Sequence, residues 1–141
     1  MSLAWKIAGQ GASITVKIIT RESPDTKNVY GGNWLTCEVE LDVPPFTGRF
    51  KASYTTQEFF RFWTGLSMAL SSSKGDVVFG SDVDALQVTV GIEATGRGLV
   101  KGITRGQSKT TVSFSFESDQ TNLNKTCKEL EAVITQYPII A

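Results

Sequence analysis

Apolar and polar positions change places with two distinct periods along this chain, and the changes of period mark its elements. "ASITVKII" puts Ile14, Val16 and Ile18 on one side and Ser13, Thr15 and Lys17 on the other, a half-buried strand. A short strand around Trp5 and Ile7 precedes it. Residues 21–33, "RESPDTKNVYGGN", are rich in turn formers and predict a mobile loop. "WLTCEVELDV" is the cleanest strand, with Leu35, Cys37, Val39, Leu41 and Val43 inward and Thr36, Glu38, Glu40 and Asp42 outward. From Gly48 to Tyr54 the alternation resumes, with Phe50, Ala52 and Tyr54 opposed to Arg49 and Lys51. Pairing these two strands on their apolar faces sets Arg49 and Lys51 against the row Glu38, Glu40, Asp42. Pro44-Pro45 fits no primed two-residue turn, so a longer connection is expected.

The period then switches. Thr55 and Glu58 have capping-box spacing, and Phe59, Phe62, Trp63, Leu66 and Leu70 form one helical stripe that ends at "SSSKG". The second half repeats the order. "DVVF", "ALQVTVGIEA", "GLVKGI" and "TTVSFSFE" predict strands, with Leu86, Val88, Val90, Ile92, Val112, Phe114 and Phe116 inward. A helix follows to about Gln136, with the seam Leu123, Cys127, Leu130, Ile134. The halves share this plan without a residue-level repeat. The expected fold is α+β: an antiparallel sheet with two helices packed on one face, in the order strands-helix-strands-helix, as a single domain over 1–141.

A chain of 141 residues with 40% hydrophobic content buries a core without staples. Fourteen basic and fourteen acidic residues cancel. No whole-molecule field then draws the chain to nucleic acid or an anionic membrane, and neither is an expected partner. "MSLAWKIAGQGASITVKIIT" lacks a continuous apolar run, and the expected location is the cytoplasm. Cys37 and Cys127 both fall on apolar seams as small core side chains, while a bridge between them stays open.

The sequence holds no histidine. That removes imidazole acid–base chemistry, His-dependent nucleophile activation and imidazole zinc sites. No cofactor, catalytic residue or metal is expected. "GITRGQSKTT" departs from a phosphate loop, because Gln107 and Ser108 separate Gly106 from Lys109 and a strand follows where a helix is required. Its expected form is a hairpin turn. Gly96 and Gly98 are expected as turn residues. Asp82 and Asp84 lack the further oxygens of a calcium loop.

At "ESDQTNL", Asp119 or Thr121 supplies the helix cap, and the helix dipole favours the charged form of a carboxylate there, which is wrong for a general acid. Charge is locally uneven. Asp76 to Glu93 carries four acids and no base, whereas Arg97, Lys101, Arg105 and Lys109 have no acid among them. One reading is complementary rows on neighbouring strands. The other is a surface that docks a charged partner, built from Arg97, Lys101, Arg105, Lys109, Asp82 and Asp84.

"NWLTCEVEL", the "TTQEFFRFWTGL" helix, the Gly96/Gly98 turn and "FSFESDQTNL" leading to a final "YP" resemble the WapI-like immunity proteins, from Trp34 to Pro138. The resemblance implies a non-enzymatic bacterial protein of the cytoplasm that neutralises a cognate toxin by binding it. Inhibitors of nucleic-acid-cleaving toxins are often acidic, and this chain is neutral. The alternatives are a small enzyme or ligand binder with a pocket between sheet and helices, and a structural or assembly subunit.

Overall fold

A computed structural model describes residues 3–22, 33–106 and 110–140. The strands are β1 (Leu3–Ala8), β2 (Ser13–Arg21), β3 (Trp34–Val43), β4 (Phe46–Thr55), β5 (Gly75–Phe79), β6 (Leu86–Ile92), β7 (Arg97–Arg105) and β8 (Thr111–Asp119). Helix α1 (Thr56–Ser72) follows β4 and helix α2 (Gln120–Gln136) follows β8. The expected α+β class and element order are both present, and all strand pairs are antiparallel. There are, however, two sheets of four strands, β1-β2-β3-β4 and β5-β6-β7-β8, where one was expected. The expected loop at 21–33 lies largely outside the described residues.

Each half is thus four antiparallel strands and a helix, and the two helices are built alike. Both run for 17 residues, and both are capped by the last residue of, or just after, a strand ladder. Counted from each first residue, Phe59, Phe62, Leu66 and Ala69 of α1 hold the same positions as Leu123, Thr126, Leu130 and Val133 of α2. The repeat lies in these buried positions rather than in residue identity. The helices also differ from the expected arrangement in where they pack. Each lies chiefly against the first strand of the opposite half, α1 on β5 and α2 on β1, and the two helices pack on each other.

This exchange makes one core. Trp5, Tyr54, Phe59, Phe62 and Phe79 are fully or almost fully buried. The Phe79 ring, from the second half, stands 5.0 Å from Trp5, 4.6 Å from Tyr54, 5.7 Å from Phe59 and 5.4 Å from Phe62. The Tyr54 hydroxyl donates to the Leu86 carbonyl at 2.8 Å, a further tie between the sheets. Burial displaces the Tyr54 hydroxyl pKa upward.

The predicted alternation of β3 is met in full, and its charged row forms. Glu38 faces Lys51 and Glu40 faces Arg49. Arg49 reaches Glu40 at 3.3 Å and Glu38 at 3.8 Å, and Lys17 of β2 reaches Glu40 at 2.8 Å. The Lys17 hydrogen bond is the main cause that lowers the Glu40 pKa. The turn after β3 corrects the expectation of a longer link. Val43 pairs with Phe46, leaving only Pro44-Pro45 between the strands, and their peptide bond is cis. A cis-proline in the third position of a four-residue turn is type VI geometry, a route the argument from primed turns does not include.

Three further positions depart from expectation. Val112 is 37% exposed, in the first half of β8, where burial gives out along the strand. Trp63, placed in the α1 stripe, is only partly buried. Gly96 has φ of 87° and sits in the turn as expected, but Gly98 belongs to β7. A Cβ at Gly98 would lie 2.7 Å from Leu123 Cδ1, so its role is close approach of strand and helix.

Candidate partner-binding surface

β7 places Arg97, Lys101 and Arg105 on one parity, alternating with buried Gly98, Val100 and Gly102. The three cations therefore share the outer face of the second sheet. The register shows what lies beside them. Lys101 is flanked by Thr89 of β6 and Ser115 of β8, and Arg97 by Asp119. The expected rows of facing acids do not form around Lys101.

The three cations have different fates. Arg97 is ion-paired with Glu117 on the neighbouring strand. Arg105 turns toward the loop before β6, donating to the Ser81 carbonyl at 3.5 Å, the Asp84 carbonyl at 3.3 Å and Gln87 Oε1 at 3.3 Å. It braces backbone rather than pairing with a carboxylate. Lys101 is exposed and has no hydrogen-bond or ion-pair partner among the described residues. Lys109 lies outside the described residues.

Asp82 and Asp84 do not act as a pair. Asp84 Oδ2 accepts from Ser81 N at 2.7 Å and Ser81 Oγ at 3.1 Å, closing its own turn, while Asp82 is exposed. Among the described residues no three His, Cys, Asp or Glu side chains gather as a metal set would require. At the other junction, Asp119 is the cap: its Oδ1 accepts from Asn122 N at 2.8 Å, and Thr121 is not needed. Thr55 caps α1 in the same way, accepting from Glu58 N at 3.3 Å.

A shallow hollow of about 530 Å³ surrounds Lys101, lined also by Gln87, Thr89, Gly102, Ile103, Ser113, Phe114 and Ser115. It is a charged floor point amid hydroxyls and one aliphatic side chain, suited to a protein surface more than to an enclosed small molecule. The sequence marked Lys101 through its charge. It gave no signal for Gln87, Thr89, Ile103, Ser113 and Ser115, which come together only through the register of β6, β7 and β8. Other hollows lie elsewhere: about 500 Å³ beside Phe50, Lys51, Ala85 and Thr104, and about 320 Å³ between the helices beside Ser67, Asn124 and Cys127. Both thiols are free. Burial pushes the Cys37 thiol up to about 12 and raises that of Cys127 as well. No helix among the described residues is long and apolar enough to cross a membrane.

Comparison with known proteins bears on both fold and family. The crystal structures of "trypanosoma bruciei MRP1/MRP2" align over 100% of this chain and 90% of that one, with a TM-score of 0.53 and 10% identity. A likeness at that identity concerns the fold alone. No curated protein matches the sequence. The immunity protein WapI-like family, in contrast, matches residues 5–138, from Trp5 in the aromatic core to Pro138 beyond α2. With nearly the whole chain matched, the protein belongs to the immunity protein WapI-like family.

Proposed function

We propose that the protein neutralises a cognate bacterial toxin in the cytoplasm by stoichiometric binding, without catalysing a reaction. The observation that carries this is the family match across residues 5–138. The surface around Lys101 supports it. An unpaired ammonium in a hollow of hydroxyls is poised for a carboxylate of a partner, and burying it there gains a charge-assisted hydrogen bond. Arg105, held by carbonyl and amide oxygens rather than by a carboxylate, adds positive charge on the same face, which favours encounter with an acidic patch, while Arg97 is neutralised by Glu117. Asp82 is exposed and follows Ser81, whose carbonyl Arg105 holds.

The test is co-expression with candidate toxin domains taken from the genes flanking this one. Growth is restored by the wild-type protein, and Lys101→Glu loses protection while its melting temperature is unchanged. Protection that persists with the protein far below one copy per toxin contradicts stoichiometric binding and points to an enzyme.

A further inference from the structure

The sheet edges are treated unequally. β1, the outer strand of the first sheet, has its backbone occupied by side chains: Lys6 N donates to Glu129 Oε1 at 3.0 Å, Thr126 Oγ1 donates to the Lys6 carbonyl at 2.6 Å, and Ser118 Oγ donates to the Ala8 carbonyl at 2.6 Å. β5 lies under α1. β4 carries Arg49 and Lys51, the sort of charge that blunts an edge. The first part of β8 has no charge and, among the described residues, no strand or helix laid along its outer edge. From Thr110 to Phe116 it reads "TTVSFSF", with no charge, proline or glycine. Such an edge left bare is a template for another strand.

The direction of its backbone groups follows from the ladder. Gly106 N donates to the Thr110 carbonyl at 2.8 Å beside the pair Arg105↔Thr111, and at the far end Gln10 N donates to the Glu117 carbonyl at 2.9 Å. Residues of an antiparallel strand alternate between bonding the neighbour and facing away. Thr111, Ser113, Ser115 and Glu117 therefore face away from β7. The Glu117 carbonyl is taken by Gln10, which leaves the outward groups of Thr111, Ser113 and Ser115 without a backbone partner among the described residues.

We propose that this stretch of β8 takes an extended segment of a protein partner as an added strand, with the Lys101 ammonium meeting a carboxylate of that segment across Ser115. Strands stand about 4.8 Å apart, and a lysine side chain spans the small serine between. Val112, 37% exposed, and the partly buried Phe114 offer apolar contact on the opposite parity. The segment alternates apolar and polar residues and carries at least one acid. Charge excludes a second copy of this chain as the preferred occupant. On β8 Glu117 is paired with Arg97 and Asp119 caps α2, so another β8 brings no free carboxylate to Lys101.

This deepens the toxin-binding proposal and rests on it for the natural partner, so the test has two arms read on the full chain by amide exchange. In complex with the candidate toxin domain of the co-expression test, the Ser113 and Ser115 amides become at least tenfold more protected. A synthetic heptapeptide alternating valine and aspartate shifts the same two amide signals, and its valine–lysine counterpart does not. Ser113→Pro, which removes an outward N–H, weakens toxin binding at least tenfold while the β6–β7 amides keep their protection. Toxin binding with unchanged exchange at Ser113 and Ser115 overturns the added strand and leaves toxin binding intact. A toxin that fails to bind, with the aspartate peptide still shifting those amides, overturns the toxin assignment alone. Silence in both arms overturns both. Concentration-dependent protection of the two amides without any partner assigns the edge to a second copy and refutes the proposed occupant.

Discussion

Phe79→Ala probes the joint on which the whole domain depends. The ring is fully buried and sits within 5.7 Å of four other aromatic rings, two from the first sheet and two from α1. Removing it deletes the second half's main insertion into the first half's core. Truncating a buried phenylalanine costs about 3–5 kcal/mol, and four aromatic neighbours place this site in the upper half of that range, about 4–5 kcal/mol. A domain of this size holds roughly 5–15 kcal/mol in all, so the variant stays folded but marginal. Phe79→Leu, which keeps part of the volume, costs about 1–2 kcal/mol. Urea unfolding followed by far-ultraviolet circular dichroism and by tryptophan fluorescence measures both. The packing of each helix on the other half's first strand predicts coincident transitions by the two probes in wild type and variants alike. A loss below about 1 kcal/mol for Phe79→Ala, or wild-type transitions that separate into two steps, refutes the single-core account.

Three further outcomes follow from the same geometry. Asp119→Ala loses the carboxylate that accepts from Asn122 N and costs about 0.5–2 kcal/mol in thermal unfolding, whereas Thr121→Ala costs little. Glu40 has its pKa lowered in the fold below the ordinary 4.5, chiefly by Lys17. The stability it contributes is present above that ordinary value and is lost as pH falls through the folded one. Glu40→Gln therefore flattens the acid limb of the stability–pH curve below about pH 4.5, and an unaltered limb contradicts the ladder. At pH 8 a disulfide reagent modifies Cys127 in the native protein, while Cys37, fully buried and with its pKa pushed up to about 12, reacts only at the rate of unfolding.

What the sequence revealed was local, and what it concealed was a matter of partnership. The alternation of "WLTCEVELDV" identified the inward side chains of β3, and charge along it predicted the Glu38, Glu40, Arg49 and Lys51 ladder because any pairing of the two apolar faces sets both charged rows on the opposite face. Both helix caps were legible, since Thr55 and Asp119 stand where a period of two gives way to 3.6. Alternation says which side of a strand is inward, but not which sheet receives it. That is why eight strands read as one sheet. It also cannot say where burial gives out along a strand, so Val112 was placed inside. The Pro44-Pro45 turn escaped because an argument from primed turns leaves out the other two-residue connections. In the candidate site, Lys101 was visible as part of a basic row, but its isolation was not. Glu117 and the Ser81–Asp84 turn engage Arg97 and Arg105, and only the three-dimensional register leaves Lys101 without a partner among the described residues.

The central claim, that this WapI-like family member acts by binding a toxin through the outer face of its second sheet, is met most directly by calorimetric titration. The protein is titrated into the toxin domain against which it protects in co-expression. The account predicts a complex with one protein per toxin, and at least tenfold weaker binding, about 1.4 kcal/mol, for Lys101→Glu at unchanged melting temperature. No heat of binding with wild type, or equal affinity for wild type and Lys101→Glu, contradicts it.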